Sequence, residues 1–201
     1  MGNAPIIYCV LFNVLPREKS AGGQFNLSRE ELDDVEKELI ENDQLNKWDY
    51  LYERLRNEST LKTKSSSIAT AREVVNRSKN RYRDISPCTV KLQRLRNSDY
   101  INASYVSVSC VPQRRYILTQ GPLPRTAGHF WLMVWEQCSP SIIMLNRIYE
   151  KGTMKCFPYF PCGRGPTTTT FADVGLSVQL NQEKFLDVCI FRVFELKLVQ
   201  T

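Results

Sequence analysis

Between Asp99 and Pro124 the chain alternates short β-branched and aromatic stretches with polar breaks: Asp99-Tyr-Ile-Asn-Ala-Ser104, then Tyr116-Ile-Leu-Thr-Gln-Gly-Pro-Leu-Pro124. The pattern predicts two short strands, the second stopped by Gly121 and the two prolines. Directly afterwards the period changes. Ala127, Phe130, Trp131, Val134 and Trp135 recur at helical spacing, with Thr126 placed to cap the helix. The two tryptophans, one turn apart, read as core. Ile142-Ile-Met-Leu145 is short and wholly apolar, which predicts a buried strand, and Asn146-Arg-Ile-Tyr-Glu-Lys-Gly152 reads as the polar turn leaving it.

On either side of this block the pattern is weaker. Ser28-Arg-Glu-Glu31 is a capping box, with Leu27 and Leu32 at the staple positions, and Leu32, Val35 and Leu39 mark one face of the helix it opens. Leu45, Trp48, Tyr52 and Leu55 mark a second helix. From Asn57 to Ser78 the chain turns to Ser, Thr and Lys, which predicts a connection with little regular structure. Residues 163–170, Gly-Arg-Gly-Pro followed by four threonines, read as an exposed hairpin link. Leu176, Val178 and Leu180 alternate as in a strand, and residues 188–199 are rich in Val, Ile, Phe and Leu. In that last strand the apolar phase shifts, Phe191 and Val193 giving way to Phe194, Leu196 and Leu198, which predicts a bulge.

Residues 1–26 contain an apolar run, Ile6 to Leu15, shorter than the about 20 residues a membrane-spanning helix needs. No positive charge precedes it, as a signal peptide would require, and Ile6 stands where a myristoylation signal has Ser or Thr. An irregular leader, or a packed extra strand, is the expectation. The remainder, 27–201, is long enough for one α/β domain, and 42% of the chain is hydrophobic. Seven cysteines without Cys-x-x-Cys spacing suggest neither a disulfide framework nor a zinc site, so a reducing, cytoplasmic location fits. The net charge of +6 is unevenly spread: residues 29–53 hold ten acids and three bases, residues 62–96 ten bases and two acids. The basic segment is either a solvated surface or a rim that attracts an anion. No nucleic-acid-binding signature accompanies it.

Inside the basic segment lies Asn80-Arg-Tyr-Arg-Asp84. Its tyrosine can be an ordinary packed aromatic among surface charges. It can also be a ring on which a flat ligand stacks, with arginines for an anion and a carboxylate for a backbone amide. The only histidine, His129, falls within the predicted helix and leaves no obvious serine– or cysteine–histidine pair.

Taken together, Asn80 to Asp84, Asp99 to Ser104, Tyr116 to Pro124, Phe130-Trp131 with Met133-Val-Trp135, and Met144 to Arg147 with Glu150-Lys-Gly152 resemble the non-receptor protein-tyrosine phosphatase family over about Glu38 to Leu198. The resemblance implies a mixed α/β fold, a twisted sheet with flanking helices and two N-terminal helices. It implies a hydrolase acting on phosphotyrosine in proteins through a cysteinyl-phosphate intermediate, without metal or cofactor. By the same resemblance Tyr82 stacks on the phosphotyrosine ring, Asp84 bonds the substrate backbone, and Arg81 and Arg83 favour acidic peptides. Glu150 matches the glutamate that holds the catalytic arginine, and Lys155 the lysine that contacts the mobile acid loop.

The family's His-Cys-Ser-x-Gly-x-Gly-Arg nucleophile loop and Trp-Pro-Asp acid loop do not occur among the 201 residues. Cys88 and Arg94 have the bare Cys-x5-Arg spacing, but Val90 and Leu92 between them form a strand pattern where a phosphate cradle needs glycines and a helix start. Two local departures stand out: Cys88-Thr-Val90 replaces a longer Asp-His-Ser-Arg run, and Tyr159-Phe-Pro161 replaces Tyr-Trp-Pro. The expectation is therefore the N-terminal portion of a phosphatase domain, inactive alone, or alternatively a non-catalytic phosphotyrosine-binding module. An uncovered apolar strand surface near its end would favour self-association.

Overall fold

A five-stranded sheet draws on both ends of the chain. Its order is β5 (Ser141–Met144), β1 (Ile6–Phe12), β10 (Cys189–Leu198), β9 (Leu176–Phe185) and β8 (Thr168–Phe171). The computed structural model describes residues 6–12, 29–62, 69–85, 87, 89–93, 98–107, 115–163, 165–187 and 189–199. These belong to two units, residues 1–16 with 67–201 and residues 17–66.

β1 runs antiparallel to β10 and parallel to β5. Of the two expectations for the leader, irregular or a packed extra strand, residues 6–12 follow the second. The reason is compositional: Ile-Ile-Tyr-Cys-Val-Leu-Phe favours extended backbone, and a place between two strands pairs its amides and carbonyls on both sides. β5 is not buried throughout. Ile142 and Met144 point into the core while Ile143 and Leu145 are exposed, because a strand at the sheet edge with one covered face buries alternate residues.

The register of β9 against β10 shifts between Val193 and Phe194, where the bulge was expected. The extra residue, however, is Asn181 on β9. In β10, Arg192, Phe194 and Leu196 are buried in regular alternation, so the apparent phase shift arises because an arginine holds a core position. β9 changes face instead, from Leu176 and Val178 to Glu183, which meets Arg192.

The second sheet is antiparallel, β2 (Thr89–Lys91), β3 (Tyr100–Ser107) and β4 (Arg115–Thr119), and includes the two strands expected around Asp99–Pro124. Val90 and Leu92 are buried, in keeping with the strand pattern read there; Cys88 and Arg94 lie outside the described residues. Between Pro122 and the helix stands a 3-10 turn, Pro124–Thr126. Thr126 Oγ1 accepts from the Leu123 amide at 2.9 Å, so it closes this turn and makes no side-chain cap to the helix that follows. That helix, α5 (Ala127–Glu136), buries Ala127, Gly128 and every residue from Phe130 to Val134.

Trp131 is the centre of the core. Its indole N–H donates to Tyr159 O at 2.7 Å, and the rings of Phe130, Tyr159 and Phe194 lie edge-on or tilted around it. Truncating a ring so placed costs about 3–5 kcal/mol. Ile101 and Ala103 of β3, and Leu176, Val178, Phe194 and Leu196 of β9 and β10, complete the cluster.

Three stretches read as irregular contain regular structure. The helix α2 (Trp48–Lys62) continues past Asn57, and α3 (Ala69–Arg72) and α4 (Val74–Arg77) follow. Buried Asn76 braces this second pair of turns by donating from Nδ2 to Thr70 O at 2.9 Å. The polar turn after β5 is a hairpin, β6 (Tyr149–Glu150) with β7 (Thr153–Met154). Lys151 and Gly152 both have positive φ, the signature of the tight turn whose twist matches two-residue hairpins. Thr168–Thr170 lie in β8 and not in a link, since their hydrogen bonds to β9 favour the β-branched threonines.

The smaller unit holds the two helices read from the sequence, α1 (Arg29–Gln44) and α2, joined through Asn46 in the left-handed region. Trp48 Nε1 donates to Asp43 Oδ1 at 2.6 Å across the joint, and Lys47 pairs with Glu41. The capping serine, Ser28, lies outside the described residues. The whole is the mixed α/β fold expected, and no described helix is long and apolar enough to cross a membrane.

Candidate functional site

The Asn80–Asp84 loop leaves α4 and is fixed by polar side chains. Asn80 uses both ends of its amide. Its Nδ2 donates to Ala71 O at 2.8 Å, while Oδ1 accepts from Tyr100 Oη at 2.5 Å and from Asn102 Nδ2 at 2.9 Å. Burial raises the Tyr100 pKa, so the phenol stays protonated as the donor. Lys79 reaches Asn76 Oδ1 at 2.9 Å and Ser98 Oγ at 2.5 Å, with burial lowering its pKa.

Gln120, directly after β4, spans the loop. Its Nε2 donates to Lys79 O and its Oε1 accepts from the Arg81 amide, each at 2.8 Å. The Arg81 side chain then extends away from the loop surface. Nε donates to Gly121 O at 3.0 Å, Nη2 to Pro122 O at 2.8 Å and Nη1 to Met154 O at 3.4 Å. A guanidinium is the one side chain with enough forked donors for three carbonyls. Sequence reasoning placed Arg81 beside Arg83 as a contact for acidic peptides; its guanidinium is instead committed to the protein's own backbone.

Gly121 is required by the same crowding. A Cβ there would stand 2.8 Å from Lys155 O and 3.2 Å from Cys156 Cβ. Pro122 O also accepts from the Phe157 amide at 2.9 Å. The loop, the Gly121–Pro122 turn and the β6–β7 hairpin are therefore one polar assembly. It brings the Tyr82 loop beside the hairpin that carries Glu150 and leads into Lys155. Glu150 Oε1 accepts from the Arg147 amide at 3.0 Å, which orients its carboxylate, and Lys155 is half-buried.

On the outside of this assembly Tyr82 is 45% exposed, and Arg83, Asp84 and Ile85 are exposed with it. Their side chains make no hydrogen bond among the described residues. The geometry can offer an aromatic face flanked by a cation and a carboxylate to a flat, anionic ligand. Among the described residues, the Cys156 thiol is buried against the Gly121 turn, and burial pushes its pKa up to about 11, opposite to the direction a nucleophilic thiolate needs. Gln120 and Gly121 are the site residues that motif reading passed over; the only local signal for them was the Gln-Gly-Pro that ends β4.

The model of the family described as protein-tyrosine phosphatase matches residues 76–201. Among curated proteins, the chain is 46% identical over 152 residues to tyrosine-protein phosphatase non-receptor type 2 of Homo sapiens, covering 74% of this chain and 35% of that protein. It is 40% identical over 144 residues to tyrosine-protein phosphatase non-receptor type 61F of Drosophila melanogaster, covering 70% and 26%. It is also 47% identical over 105 residues to phosphatidylinositol phosphatase PTPRQ of Rattus norvegicus, covering 49% and 4%. The chain thus spans about a third of the length of the first of these relatives.

Proposed function

Since the chain belongs to the protein-tyrosine phosphatase family, we propose that its 201 residues carry the scaffold and the phosphotyrosine-recognition part of such a domain, with residues 27–201 as its N-terminal portion. Hydrolysis of phosphotyrosine in proteins through a cysteinyl phosphate then depends on a nucleophile loop and an acid loop that these residues do not include. In this reading Tyr82 stacks on the phosphotyrosine ring, Asp84 bonds the peptide backbone and Arg83 favours acidic flanks. Glu150 and Lys155 orient the arginine and the acid loop where those are supplied. The observation that carries the reading is the contrast within one loop: Tyr82 stands half-exposed while the residues before it are fastened by hydrogen bonds. A preorganised aromatic loses little freedom when it binds.

The location proposed is cytoplasmic, supported by the free thiols of Cys138, Cys156, Cys162 and Cys189 and by the non-receptor names of the relatives. Nucleic acid is not a proposed partner. Two measurements test the function. Purified chain should not hydrolyse an aryl phosphate; turnover abolished by vanadate and absent from a mock preparation would overturn the proposal of inactivity. Calorimetry with a phosphotyrosine peptide and its unphosphorylated twin should give a larger heat for the first. Equal heats would remove phosphotyrosine recognition, including the alternative that the chain acts as a non-catalytic binding module.

A further inference from the structure

We propose that Arg81 and Gln120 are positioning residues that set where the Tyr82 ring stands, and that neither touches the ligand. The inference rests on the recognition role given above to Tyr82. Its basis is that the two flanks of Tyr82 are held in opposite ways. Before it, one primary amide, that of Gln120, bonds the carbonyl of Lys79 and the N–H of Arg81, as a neighbouring strand would. The Arg81 guanidinium adds bonds to Gly121 O, Pro122 O and Met154 O, which come from two segments distant in sequence. After it, Arg83, Asp84 and Ile85 are exposed. The backbone position of Tyr82 is therefore decided upstream, one peptide from its Cα.

A charge consequence follows. Arg81 and Arg83 are both cationic, but the Arg81 charge faces three carbonyl dipoles, which satisfy it locally. Preference for acidic residues beside phosphotyrosine then falls on Arg83 alone. Lysine separates the two roles of Arg81. It keeps the charge but concentrates its donors on one atom, so it cannot span three carbonyls.

The experiment uses the whole chain and two phosphotyrosine peptides, one with acidic and one with neutral flanks. Arg81→Lys should weaken both by the same factor, about tenfold, leaving their ratio unchanged. Gln120→Ala, which alters no charge, should do the same. Arg83→Ala should lower the acidic-to-neutral ratio and spare the neutral peptide. Amide hydrogen exchange supplies a readout without ligand: in Arg81→Lys and Gln120→Ala the amides of residues 80 and 81, which in the parent donate to Arg77 O and Gln120 Oε1, should exchange about tenfold faster while those of β3 and α5 keep the parent rates. Loss of the acidic preference alone in Arg81→Lys, or parent-like exchange at residues 80 and 81 in both variants, would overturn the inference. If the parent chain binds neither peptide, the recognition reading fails, and the exchange data still decide whether Arg81 and Gln120 hold the loop.

Discussion

His129 shows how a single residue takes its properties from its setting. It lies in the first turn of α5 with Nδ1 buried and without a hydrogen-bond partner among the described residues. Burial lowers its pKa; the nearby Asp173 carboxylate raises it and Lys79 lowers it further, both in smaller measure. In the unfolded chain it titrates near about pH 6.5. Between that value and the lower folded one, the unfolded state holds more protons. Stability contributed above about pH 6.5 is therefore lost as pH falls through the folded pKa. The thermal midpoint should drop more steeply on acidification from about pH 7 to about pH 5 in the parent than in His129→Gln, which cannot take a proton. Parallel profiles would show that burial does not hold His129 neutral. Gly128, beside it, has its own reason: a Cβ there would stand 2.6 Å from the Asp173 carboxylate.

Among the elements, the β9–β10 pair holds a largely buried ion pair. Arg192 is 6% exposed, bonds Glu183 Oε2 at 2.5 Å and places its guanidinium 4.9 Å from the centre of the Phe160 ring. The register shift at Asn181 turns Glu183 onto the face where Arg192 lies, and Gly163 leaves room for the carboxylate, since a Cβ would approach Glu183 Oε1 to 2.8 Å. Glu183→Gln should cost about 3–5 kcal/mol, because it leaves a buried guanidinium without its counter-charge. The double change Arg192→Met with Glu183→Leu should cost much less, since both desolvation penalties vanish together. Chemical denaturation of the parent, single and double variants measures this; equal losses in the two variants would show that the pair is not coupled.

At the scale of the molecule, two sheet edges stand out. β5 ends the five-stranded sheet, where its Ile143 and the following Leu145 are 62% and 69% exposed, and β4 ends the second sheet with Tyr116 and Leu118 exposed. Apolar residues on an unpaired edge favour pairing with another chain. Sedimentation velocity should show association that grows with concentration and is reduced by Ile143→Lys with Leu145→Lys; a parent that stays monomeric across the range would rule it out. The match to the family model begins at Asn76, within the larger unit, so the Tyr82 loop, both sheets from β2 onward and α5 fall inside it.

Sequence alone determined the existence and type of the elements whose period is strong, α1, α2, α5, β3, β4 and β9, because apolar residues recurring at one spacing match the side-chain period of one kind of element. It also located the Tyr82 loop and the irregularity near Val193. It did not determine which strand held the extra residue, since register is a property of two strands and Asn181 is distant from Val193 in the chain. Nor could it separate Arg81 from Arg83, identical residues on either side of one tyrosine. Their difference comes from Gly121, Pro122 and Met154, which lie 40, 41 and 73 positions away from Arg81 and become its neighbours only when the chain is folded. Propensity acts over a turn or a strand, whereas the partners of a buried charge are chosen by whatever the fold brings within hydrogen-bonding distance.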